Sequence, residues 1–110
     1  MTADYNYIAN LAELVGNIPA NSIISRTIAQ DSQHRTILFA FAAGQELSEH
    51  TSAKTATLIF LQGEADLTLG QDSLQAQAGT WVQMPPHLPH SIRAKTPVLM
   101  LLTMVEPPAE

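Results

Sequence analysis

Imidazole is the side chain with the widest chemical reach in this sequence, and it occurs at four positions: His34, His50, His87 and His90. A neutral imidazole can ligate a metal, take up a proton near neutral pH or hydrogen-bond a ligand. His50 lies in the stretch "SEHTSAKTATLIFLQGEADLTLG", just ahead of an apolar segment and a Gly-Glu turn. Two residues on, where an extended chain returns to the same face, stands the hydroxyl of Ser52. His90 ends the proline-rich run "PPHLPH" and opens "SIRA". His87 lies between prolines and His34 precedes a strand, so both read as surface groups. Cysteine is absent, which removes thiolate metal sites, thiol nucleophiles and disulfides from consideration.

The elements that must position these groups are almost entirely β. "NLAELVG" opens at Asn10, a capping residue, and stops at Gly16, so it supports one or two helical turns. From Ser22 the pattern changes. "SIISRTIA" and "RTILFAFAAG" are rich in β-branched and aromatic residues and end in turn formers. "TATLIFLQG" is apolar on both faces near its end, as in a strand covered on each side. In "EADLTLG", Ala65, Leu67 and Leu69 point one way, Asp66 and Thr68 the other. "SLQAQA", "TWVQM", "SIRA" and "VLMLLTMV" complete about eight or nine short strands, a pattern of sandwiches and barrels. The fold class is all-β with a short N-terminal helical segment, and residues 1–110 form one domain.

Charge and hydropathy narrow the partners. The net charge is −5, and the only fixed cations, Arg26, Arg35, Lys54, Arg93 and Lys95, are scattered, which argues against nucleic acid. The longest apolar runs, such as Ile37 to Ala43, fall far short of the ~18 residues that span a membrane. The amino end has no signal-peptide character, and the lack of cysteine fits a cytoplasmic location.

Two motifs go further. Gly44 precedes Glu49 and His50, and Gly63 closes the next strand; Gly79 then leads through "TWVQMP" and "PHLPH" to His90. Together they resemble the two motifs of the cupins, small β-barrels of jelly-roll type, with "LQGEADLTLG" and "AGTWVQMPPHLPH" as the most specific parts. The resemblance covers roughly residues 34–104. It implies a homodimer, for which "SIISRTIA" has a β-branched character suited to pairing across a two-fold axis. It also implies a metal shell of two histidines one residue apart, a glutamate about four residues further and a histidine from the second motif. Position by position, His50 and His90 fill two places, while Ser52 and Ala56 hold the others.

Half a shell suits a metal poorly. Two neutral imidazoles leave a dication uncompensated, a hydroxyl coordinates weakly, and a methyl not at all. Strand alternation turns Glu49 away from His50, so binding of Zn, Fe, Mn or Ni would need waters or a donor such as Gln45 or His87 from a loop. Leu58 and Phe60 share the inward register of Ala56, and Leu88, Ile92 and Ala94 that of His90. The expected site is therefore an apolar pocket holding His50, Ser52, Leu58, Phe60, His90 and Ile92, with a small molecule as its ligand. Trp81 either lines it or packs outside. The competing class is an enzyme: a metal-dependent oxygenase, or an isomerase or lyase using histidine as a base. No carboxylate is aimed at either imidazole to fix its tautomer, which weighs against the base.

Overall fold

The computed structural model describes residues 4–107. Leu11–Leu14 form a single 3-10 turn, capped by the Asn10 side-chain oxygen, which accepts from the Ala12 N–H at 3.0 Å. Nine strands follow: β1 (Ile23–Gln30), β2 (His34–Phe41), β3 (Glu46–His50), β4 (Thr55–Gln62), β5 (Ala65–Leu69), β6 (Asp72–Ala76), β7 (Trp81–Met84), β8 (His90–Ala94) and β9 (Val98–Val105). They build a five-stranded sheet, β1-β2-β9-β4-β7, facing a four-stranded sheet, β3-β8-β5-β6, with every pairing antiparallel. This is the all-β jelly-roll barrel expected; the helical segment is reduced to that one turn. No helix among the described residues is long and apolar enough to cross a membrane.

Alternation within the strands divides the apolar residues between two clusters. Phe41, Leu58, Phe60, Leu67, Met84, Ile92 and Met100 are buried between the sheets. Leu38, Ala40 and Leu99 point outward from the five-stranded sheet and are covered by Leu11, Leu14, Val15 and Ile18 of the amino-terminal segment. The double-sided apolarity of β2, β4 and β9 follows from this, since each lies between a core and a cover. Burial of these faces supplies the main stabilisation, at roughly 25 cal/mol per Å² of apolar surface removed from water.

Two loops shape one end of the barrel. Residues 51–54 join β3 to β4, and residues 85–89 join β7 to β8. The His87 N–H donates to the Ser52 carbonyl at 2.7 Å and ties them together. At the opposite end, Gly63 turns the chain from β4 into β5 with φ +90°, and a Cβ there would collide with the Pro97 carbonyl. Gly79 has a similar φ of +95° but open space around it. Gly79→Ala is therefore expected to cost the backbone strain alone, about 1–3 kcal/mol, and Gly63→Ala distinctly more. Urea denaturation midpoints of the two variants check the difference; equal losses would show that the close approach to Pro97 contributes nothing.

Candidate functional site

His50 ends β3 and His90 opens β8, and the sheet register sets them directly opposite each other. Their ring centroids are 4.1 Å apart with planes inclined at 58°. A register irregularity makes this work. Leu47 pairs with Ile92, yet His50 pairs with His90, so β3 carries one residue more than its partner over that span. The bulge returns His50 to the face that Leu47 occupies, three positions back, where plain alternation would have sent it outward. His90 is 7% exposed; His50 is exposed at the rim.

Both rings are held by backbone. Nδ1–H of His50 donates to the Ser48 carbonyl at 2.8 Å, and Nδ1–H of His90 to the Leu88 carbonyl at 2.9 Å. A carbonyl only accepts, so each neutral ring carries its proton on Nδ1 and its lone pair on Nε2. The tautomer is thus fixed without a carboxylate, contrary to the expectation from sequence. His87 and His34 are both exposed. His34 lies in a tight turn whose Asp31 carboxyl is held below its ordinary value by the N–H groups of Gln33 and His34.

The remaining expected site residues divide. Ser52 is not on a strand: β3 stops at His50, so alternation does not carry it to the His50 face, and its Oγ accepts from the Lys54 N–H at 3.2 Å within the loop. Leu58, Phe60 and Ile92 do join one inner cluster, all three fully buried against one another. Leu69, opposite His90, and Leu88 and Met104 are only partly buried, so they are the apolar groups a molecule at the rim would meet. Trp81 packs outside, opposite Ile59 on the outer face and 60% exposed. Two grooves, about 370 and 350 Å³, lie elsewhere, beside Leu61 and Leu99 and beside Gln75 and Thr80, and neither is lined by a histidine.

The donor set does not fit a resident metal. Among the described residues, no three His, Cys, Asp or Glu side chains come together to hold an ion. Ala56 is buried and offers no donor. Gln45 precedes β3, whose whole length separates it from His50, and its backbone is engaged with Ala94.

Arg35 was not singled out from sequence. It pairs with Met104, Met104 with Ala56, and Ala56 with Met84, forming one row across the five-stranded sheet. Ala56, Met84 and Met104 belong to the inner cluster, and directly opposed residues share a face, so Arg35 lies on the inner side too. Its phase with Ile37, Phe39 and Phe41 in "HRTILFAF" was the available signal.

Comparison with known proteins agrees with this architecture. A cupin superfamily protein from Desulfitobacterium hafniense superimposes with a TM-score of 0.83 and 28% identity, over 88% of both chains. A conserved protein of unknown function from Streptococcus pyogenes gives a TM-score of 0.81 and 29% identity, over 99% of this chain and 98% of that one. A cupin 2 conserved barrel domain protein from Leptotrichia buccalis, 23% identical, shares the fold with a TM-score of 0.81 over 88% of this chain and 47% of its own. No functionally curated protein matches the sequence significantly. Residues 37–105 match the family described as the Cupin domain, which is most of the chain and both histidine motifs, and the protein belongs to the cupin family.

Proposed function

We propose that this cupin is a binding module that holds a small, partly apolar molecule where His50 and His90 meet, without a resident metal. The observation that carries the reading is the pair of Nδ1–H bonds to the Ser48 and Leu88 carbonyls. They leave both Nε2 atoms as hydrogen-bond acceptors on adjacent rings, a surface that receives a hydroxyl or N–H from a ligand. Leu69, Leu88 and Met104 supply apolar contact beside it, and burial against them would give most of the affinity.

The same fixed tautomer favours a second reading. An Nε2 lone pair on a ring oriented through Nδ1 is suited to abstract a proton, so an isomerase or lyase using one imidazole as base is the competing function. Turnover that is lost in His50→Ala or His90→Ala would select the enzyme; saturable binding with no chemical change in the ligand selects the binding module.

Metal content tests the donor argument directly. Protein purified without a nickel column is expected to carry well under one equivalent of Zn, Fe, Mn or Ni, with no change in His50→Ala or His90→Ala. Stoichiometric metal that disappears in both variants would replace this reading with a metal enzyme. Ligands of the module should raise the unfolding free energy by about 2.7 kcal/mol at one hundred times their dissociation constant, and lose that effect in both variants.

We further propose a homodimer in a cytoplasmic setting. β1 is an edge strand of the five-stranded sheet, and its segment offers unpaired backbone groups with Arg26 as the single charge. Light scattering coupled to size exclusion should give twice the chain mass at micromolar concentration; a monomer there removes the dimer.

A further inference from the structure

Four of the five fixed cations are accounted for away from the barrel interior. Lys54 pairs with Glu106 at 3.2 Å. Lys95 donates to Gln75 at 3.0 Å and lies 3.9 Å from Asp66. Arg26, exposed, donates to the carbonyl of Leu14 in the amino-terminal segment. Arg93 alternates with the buried Ile92 and Ala94, so it faces outward, in register between Glu46 and Asp66.

Arg35 differs from all of them. Its register places it on the inner face, in the row Met84–Ala56–Met104–Arg35. The guanidinium confirms that direction independently: Nη2 donates at 3.2 Å to Thr27 Oγ1, and Thr27 pairs with Ile37, which shares the phase of Arg35. Among the described residues it takes part in no ion pair. The row also lies at the histidine end of the barrel. Residues 51–54 lead from His50 to the start of β4 beside Ala56, and residues 85–89 lead from Met84 to His90. Two strand spacings, about 10 Å, separate Arg35 from Ala56 along the row.

A chain of net charge −5 that leaves one guanidinium unpaired on its inner face is equipped for an anion. The histidines cannot serve that purpose while neutral, because each has its proton committed to a backbone carbonyl and shows only a lone pair at Nε2. A carboxylate needs donors, and Arg35 has N–H groups left after its bond to Thr27. We propose that Arg35 is the anion anchor of this site and that the ligand class is a small hydroxy acid. Its carboxylate is received by Arg35, and its hydroxyl donates to Nε2 of the histidine pair. This rests on the binding reading above and specifies its ligand.

Three matched probes separate the two claims: lactate, propionate (no hydroxyl) and propylene glycol (no carboxylate). Each is titrated into the full chain while the His50 and His90 ring resonances and the backbone amides are followed by nitrogen-15 NMR. Lactate is expected to bind at least about tenfold more tightly than propylene glycol, the scale of one charge-assisted contact. Arg35→Gln should bring lactate down to the level of propylene glycol, and Arg35→Lys should restore part of the difference. His90→Ala should weaken lactate and propylene glycol together and leave propionate unchanged. Thermal midpoints of the Arg35 variants verify folding, which the exposed position and single hydrogen bond of Arg35 favour. If lactate and propylene glycol bind alike, or Arg35→Gln leaves lactate unchanged while His90→Ala abolishes it, the anchor is overturned and the binding site stands. If none of the probes moves the histidine resonances, the binding reading fails and the anchor with it.

Discussion

Two backbone carbonyls, those of Ser48 and Leu88, decide what the histidine pair can do. Each carbonyl belongs to a residue two positions before its histidine, so the chain fixes the tautomer of its own ring locally. No distant residue has to be held in place for this. The cost of orienting the rings is absorbed when the bulge in β3 and the 85–89 loop form, and the acceptor at Nε2 is preorganised for whatever arrives. A pair oriented by buried carboxylates would have carried negative charge into the same space; carbonyl acceptors add none.

The bulge is the second element on which the site depends. Without the extra residue between Leu47 and His50, the pairing of β3 with β8 would present the neighbour of His50 to His90 and turn the imidazole to the outer face. One residue therefore converts an exposed edge strand into half of a site. The loop from Met84 to His90 makes the other half. His87 adopts φ +70°, an unusual conformation for a residue with a side chain, and its N–H is bonded to the Ser52 carbonyl. Pro85, Pro86 and Pro89 restrict the same segment. Ser52 thus contributes its backbone carbonyl to the architecture, while its Oγ accepts from the Lys54 N–H within the loop.

Legibility in the sequence followed the reach of the interactions. Strand positions and the alternation of Ala65, Leu67 and Leu69 follow from periodicity within a single segment, and the structure has them so. The opposition of His50 and His90 came through the two motifs. What depended on the pairing of one strand with another was not readable. The bulge has no local marker in "ELSEH", and without it the alternation from His50 to Ser52 looked meaningful when the strand in fact ends at His50. A carboxylate that could set a tautomer is visible in a sequence, whereas a carbonyl acceptor belongs to every residue and becomes distinctive only by geometry. Trp81 could not be placed because "TWVQM" is too short to show which of its faces meets Ile59.

The losses at positions 52 and 56, set against the family's ligand pattern, bear on charge more than on shape. A glutamate at 56 would stand in the row that ends at Arg35, about 10 Å away across the sheet. In a metal-bearing cupin the carboxylate is balanced by a dication, so either charge without the other would be costly in so apolar a surrounding. Here Ala56 offers no anion, and among the described residues no three His, Cys, Asp or Glu side chains gather around a cation. Among the described residues Arg35, at the end of that row, takes part in no ion pair, in a protein of net charge −5. On the proposed reading, a barrel end without that carboxylate favours an anionic ligand over a cation, and an imidazole that is uncharged there offers Nε2 as an acceptor.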